Sequence, residues 1–179
     1  AAESRHHQEV MNAFQRFVGP QCKPDHTYVD NAPELIKALK ELGWIFDTST
    51  QHRSETNGII ERANRVVIEG TACALTQSGW DERWWPEAMN CFCFLKGVND
   101  LLADDKTAYY RRFGLDFRGP IIPFGAEINY QPISAEDKAR LHKFGPKKLS
   151  GIFVGYKQQA NGGWSESLLV ADWEQIASA

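Results

Sequence analysis

Between His26 and Phe46 two short β-prone runs bracket one well-punctuated helix, and this alternation constrains the fold more than any other feature of the chain. His26-Thr27-Tyr28-Val29-Asp30 is the first run. Asn31-Ala32-Pro33-Glu34 then opens a helix: Asn31 can cap it, Pro33 suits the first turn, and Glu34 can reach back as in a capping box. Leu35, Ile36, Leu39 and Leu42 recur at helical spacing, and Gly43 stops the helix at its C′ position. Trp44-Ile45-Phe46 is the second β-prone run. Strands alternating with helices imply α/β layering, with helices covering a sheet.

The flanking segments extend this pattern. Residues 4–18 read as an amphipathic helix with Val10, Met11, Phe14, Phe17 and Val18 on one side, ended by Gly19-Pro20. Residues 47–57 are polar and read as a loop. From Gly58 to about Gln77 the chain is helix-prone, with Ile60, Ala63, Val67, Ala74 and Leu75 on one face. A further helix, rich in aromatics, covers roughly 81–99. After Lys106 the character changes. Gly114, Gly119-Pro120 and Pro123 punctuate the chain, and Ala126-Glu127-Ile128-Asn129-Tyr130 alternates with period two. Gly151-Ile152-Phe153-Val154-Gly155-Tyr156 and Leu168-Leu169-Val170-Ala171 read as partner strands across the turn signal Asn161-Gly162-Gly163. The expected organisation is an α/β domain over 1–104, a linker over 105–118, and a small all-β barrel-like or meander domain over 119–176.

Composition narrows the function classes. With 179 residues the chain suits one domain plus an appendage, and six Trp and ten Phe can fill a core. No stretch supplies the apolar run of a membrane-spanning helix, so no membrane partner is expected. The start, Ala1-Ala2-Glu3-Ser4-Arg5-His6-His7, is polar and unlike a secretory signal, and without a Met it suggests a piece of something longer. The four cysteines form no Cys-x-x-Cys pair and read as reduced thiols packed as small hydrophobes, which points to an intracellular setting. The net charge of −3 runs against nucleic-acid binding, but the charge is uneven. Residues 105–179 carry ten Lys/Arg against eight Asp/Glu, while 1–104 carry ten against fifteen. The densest basic cluster is Lys138, Arg140, His142, Lys143, Lys147 and Lys148.

Two acids carry the chemistry. Asp30 closes the first β-prone run, and Glu61 lies on the first turn of the helix that follows the polar loop. Carboxylates at a strand end and a helix start can converge, and two of them can hold hard divalent ions that take oxygen ligands. That architecture serves metal-assisted phosphoryl transfer on nucleic acid. Each residue also has a plainer reading. Asp30 can cap the helix after it, and Glu61 can be a surface acid favoured by the helix N-terminus. Arg65, four residues on, can contact phosphate or pair with Glu61. Asn57 can orient DNA or the catalytic loop, or cap the Glu61 helix.

Val29-Asp30-Asn31-Ala32-Pro33-Glu34, then Thr56-Asn57-Gly58-Ile59-Ile60-Glu61-Arg62-Ala63-Asn64-Arg65, then Trp84-Trp85-Pro86-Glu87-Ala88 together resemble the integrase core of copia-type retrotransposon polyproteins. Gly151-Ile152-Phe153-Val154-Gly155-Tyr156 resembles the small barrel that follows that core. The resemblance implies a ribonuclease-H-like fold with an Asp, Asp, Glu triad, in which Asp30 matches the second Asp and Glu61 the Glu. It implies two Mg²⁺ or Mn²⁺ ions, double-stranded DNA as partner (element ends and target), a homo-oligomer, a nuclear site of action, and 3′-end processing followed by strand joining. Relatives carry the first Asp on an earlier strand. Asp25 precedes the same strand as Asp30 and cannot supply a separate wall of the site. The expectation is therefore a partial core, with early strands and the first carboxylate missing, that neither cuts nor joins DNA alone. Val29, Ile45 and the apolar helix faces would then lack the sheet they cover in relatives.

Lys138, Arg140, Lys143, Lys147 and Lys148 are the expected DNA contacts, alongside Asn57 and Arg65; the plainer reading is a solvated basic face. A zinc site from His6, His7, Cys22 and His26 lacks a Cys-x-x-Cys spacing, and Trp84-Trp85 reads as core. The alternative to an integrase fragment is a noncatalytic nucleic-acid-binding or assembly remnant of a retroelement polyprotein. A ribonuclease-H-type nuclease of other biology would not need the barrel.

Overall fold

A computed structural model describes residues 6–19, 21–49 and 58–177. The chain divides into two compact units: Ala1–Val66 with Gln158–Ser165, and Val67–Lys157 with Glu166–Ala179. The class is mixed α/β with a small antiparallel sheet, in line with the sequence pattern at that level.

The first unit is built around a β-α-β crossover. Helix α1 (His7–Val18) precedes strand β1 (Thr27–Val29), helix α2 (Pro33–Leu42) and strand β2 (Phe46–Thr48). β1 and β2 pair in parallel, Thr27 opposite Phe46 and Val29 opposite Thr48. α2 is amphipathic, and Ala38 and Leu39 on its inner face are fully buried. Val29, Leu39 and Trp44 form the core, with Phe14, Val18, Leu35, Leu42 and Phe46 packed around them. Each of these apolar side chains contributes roughly 1.5–3 kcal/mol when fully covered. Val29, expected to lack cover, is thus buried, whereas Ile45 is exposed as expected.

Two boundaries differ from the sequence reading. The second strand starts two residues late, because the end of α2 consumes Trp44: Gly43 takes the left-handed conformation (φ 64°) and the Trp44 amide donates to the Leu39 carbonyl at 3.1 Å. Pairing begins only with the Thr27 amide on the Ile45 carbonyl at 2.9 Å. Nor does Asn31 cap α2. The N-cap is Ala32, with no side-chain cap bond, and Pro33 opens the helix.

Helix α3 (Gly58–Ser78) runs from the first unit into the second. Its residues 58–66 are all exposed, Ile59 at 87%, while Val67, Ala74 and Leu75 are partly covered and Thr71 is buried. The apolar face expected over its whole length is therefore covered only in its second half. There Gly70 lets another helix approach: a Cβ at this position would lie 2.0 Å from the Phe92 ring. That ring belongs to α4 (Trp85–Asn99), entered through a 3₁₀ turn, Glu82–Trp84, capped by Asp81.

In the second unit α4 buries Ala88, Cys91, Phe94 and Val98. Helix α5 (Ala108–Phe113), capped by Thr107, lies in the segment read from the sequence as linker. Tyr109 of α5 and the following Phe117 join an aromatic cluster with Phe94 and Tyr156; the Phe94 and Tyr156 rings stack at 4.4 Å between centroids. Tyr156 also bridges backbone, donating to the Pro120 carbonyl (2.7 Å) and accepting from the Ile122 amide (2.9 Å).

Strands β3 (Glu127–Tyr130), β4 (Leu149–Gln158) and β5 (Trp164–Asp172) form a three-stranded sheet in the order β3-β4-β5. β3 and β4 are antiparallel with Glu127 opposite Ile152, and the turn after Gln158 closes through the Gln159 amide on the Gly163 carbonyl. Short helix α6 (Ala135–Ala139) lies between β3 and β4 in sequence, and α7 (Trp173–Ala177) directly follows β5. No described helix is long and apolar enough to cross a membrane.

Candidate nucleic-acid and metal site

Asp30 follows the last residue of β1 and is solvent-exposed. Its Oδ1 accepts from its neighbour's amide, Asn31 N, and from Ser49 Oγ, both at 2.8 Å. Ser49 is buried just beyond β2, and its own amide continues the parallel ladder by donating to the Val29 carbonyl at 2.9 Å. The Asn31 side chain, expected as a cap, instead donates to the Ser49 carbonyl. Strand pairing thus fixes Ser49, and Ser49 fixes the Asp30 carboxylate. Ser49 went unremarked in the sequence; its only signal was a hydroxyl at the end of the strand beside the Asp30 strand.

Glu61 is exposed on the first turn of α3, where its charge suits the helix N-terminus. Asp30 and Glu61 belong to the same unit. Arg65 is exposed, and no ion pair joins it to Glu61 among the described residues. Asn57 lies outside the described residues. Among the described residues no three His, Cys, Asp or Glu side chains gather to hold a metal ion. His7 instead meets Glu41 at 3.4 Å and His26 meets Asp47 at 3.0 Å. Carboxylate oxygens such as those of Asp30 and Glu61 are the donor type that hard divalent ions take.

Of the four cysteines only Cys91 is buried, and burial pushes its thiol up to about 12. Cys22, Cys73 and Cys93 are exposed rather than packed as small hydrophobes.

The basic cluster separates into two kinds of residue. Arg140 is committed to carboxylates: it meets Asp172 at 3.1 and 3.2 Å, Glu174 at 2.9 Å and Asp137 at 3.1 Å. These partners, Asp172 first, hold its charge even more firmly than usual. Tyr130 donates to the same Asp172 at 2.5 Å, so the group locks the ends of β3 and β5 to α6. Lys138, Lys143, Lys147 and Lys148 are exposed, and none forms an ion pair among the described residues. Phe144, in their midst, was not singled out in the sequence, where a lone Phe resembles any other apolar residue.

No family model matches the chain. Comparison with curated proteins likewise finds no match. Among solved structures the chain is similar to one in the cryo-EM structure of the simian T-cell lymphotropic virus intasome in complex with PP2A regulatory subunit B56 gamma. The TM-score is 0.51 at 14% identity, over 97% of this chain. This chain spans 64% of the matched chain's length. At that identity the likeness concerns the fold.

Proposed function

We propose that this chain is part of an integrase-type polynucleotidyl transferase of the copia-type retrotransposon class, with a ribonuclease-H-like core over 1–104 and a small barrel-like domain over 119–176. The observation that carries the reading is the Asp30 carboxylate, held at the end of a parallel strand by a hydroxyl from the neighbouring strand end. The fold likeness to a chain of an intasome structure supports it.

On this reading Asp30 and Glu61 hold Mg²⁺ or Mn²⁺. When bound, such ions supply charge stabilisation at phosphate oxygens and an activated hydroxyl at neutral pH. Asp30 is kept in one orientation by Ser49, and Glu61 presents its charge from a helix start. Lys138, Lys143, Lys147 and Lys148 contact DNA phosphates, as does Arg65, and Asn57 orients DNA or the catalytic loop, whereas Arg140 serves the sheet. Oligomeric assembly on element ends and target DNA, in the nucleus, completes the proposal.

A noncatalytic nucleic-acid-binding or assembly remnant is the second reading. It is favoured by the absence of a third acid beside Asp30 or Glu61 among the described residues.

Titration with Mn²⁺ followed by electron paramagnetic resonance tests the site. Asp30→Asn and Glu61→Gln should each weaken binding at least about tenfold while leaving the fold intact. Equal affinity in both variants and the parent would remove the metal-site reading. Incubation with a short duplex and Mg²⁺ should give neither nicking nor joining; a nick abolished by Asp30→Asn would instead make the chain active alone.

A further inference from the structure

Residues 141–148, Leu-His-Lys-Phe-Gly-Pro-Lys-Lys, put an aromatic ring in water among cations. Phe144 is 86% exposed. Its exposure belongs to a closed loop. The Phe144 amide donates to His142 Nδ1 (3.2 Å), and the Gly145 amide donates to the His142 carbonyl (3.2 Å). The Lys147 ammonium donates to the carbonyls of both His142 (3.0 Å) and Lys143 (2.9 Å). Lys143 Nζ stands 5.5 Å from the Phe144 ring centre, and the His142 ring 6.2 Å away. The segment contains no carboxylate, and Asp137, on the preceding helix, is already bound to Ser134 and Arg140.

We infer that this loop is a binding site for single-stranded nucleic acid, in which Phe144 stacks on an unpaired base and the surrounding lysines meet the flanking phosphates. Lysines alone would give sequence-independent attraction to any polyanion. The exposed ring adds a partner with a π-face, and every base offers one once it is unstacked. A blunt duplex keeps all its base faces covered except the outer faces of its two end pairs, so the ring favours single strands or frayed ends. The inference rests on the reading that the chain handles DNA, and it names the strand form that the basic loop takes.

The test is fluorescence anisotropy with a labelled oligo-dT strand and a blunt duplex of equal length. Sedimentation with phosphatidylserine-containing vesicles is run in parallel. Phe144→Ala should weaken oligo-dT binding roughly tenfold, with Phe144→Trp retaining it and the duplex changing little. The salt slope of Phe144→Ala should stay as in the parent. Lys143→Gln with Lys148→Gln should weaken both DNA forms and lower the single-strand slope by about 0.7 per lysine removed. If Phe144→Ala binds oligo-dT like the parent while the lysine variant weakens, the stacking site is wrong and DNA handling stands. If the parent binds neither DNA form at low salt, DNA handling itself fails. Loss of vesicle binding alone in Phe144→Ala would assign the loop to an anionic lipid surface and overturn the inference.

Discussion

Ser49 Oγ donates to Asp30 Oδ1 at 2.8 Å, joining the ends of two parallel strands through side chains. Groups that orient a metal-binding carboxylate commonly matter about 10–100-fold for affinity. Ser49→Ala should therefore weaken Mn²⁺ binding by about tenfold, and Ser49→Thr should restore most of it. The lost bond should also lower unfolding stability by about 1 kcal/mol in urea titrations. Unchanged Mn²⁺ affinity in Ser49→Ala would reduce Ser49 to a fold residue.

Gly70 on α3 faces Phe92 of α4 so closely that a Cβ would lie 2.0–2.5 Å from ring carbons. Gly70→Ala should destabilise despite a helix-propensity gain of about 1 kcal/mol, because overpacking costs roughly 1–3 kcal/mol. In the background Phe92→Ala the same change should become neutral or stabilising. A denaturant double-mutant cycle reads the sign reversal directly.

Arg140 is spent on Asp172, Glu174 and Asp137. Arg140→Gln should lower the thermal midpoint by a few degrees, since it removes the cation paired with the buried Asp172 carboxylate and leaves it only neutral donors such as the Tyr130 hydroxyl among those described. DNA affinity, measured beside Lys148→Gln, should hardly move. A loss of affinity equal to that of the lysine variant, with the midpoint unchanged, would contradict this division of labour.

Burial, and then the hydrogen bond to Asp172, push the Tyr130 hydroxyl up to about 12 from 10. The folded state holds this proton more tightly than the unfolded chain. Its contribution to stability is complete below pH 10 and disappears as pH climbs toward 12. Thermal melts across that window should steepen downward in the parent and flatten in Tyr130→Phe.

Periodicity and punctuation carried the helices: Pro33 and Gly43 mark the two ends of α2 through backbone geometry alone. The β1-α2-β2 order was legible for the same reason. The start of β2 was not, since Trp44 looks β-prone until the left-handed Gly43 draws its amide back to the helix. Asn31 carries good capping chemistry, yet the Ser49 carbonyl competes for its amide group, and only tertiary pairing brings Ser49 near. For the site, the sequence offered Asp30 and Glu61 as isolated acids; the hydroxyl that orients one of them comes from 19 residues away. The basic cluster was visible as composition, but composition does not reveal that Asp172 had claimed Arg140 or that Phe144 stood in solvent.

The parallel ribbon of β1 and β2 has, among the described residues, only two members of three residues each, so it is all edge. A ladder this short contributes little cohesion by itself. What keeps Asp30 and Ser49 in register is the roof made by α1 and α2 over Val29 and Trp44. Trimming the amino-terminal helix would consequently blur a carboxylate that stands on a different element, just past the end of β1.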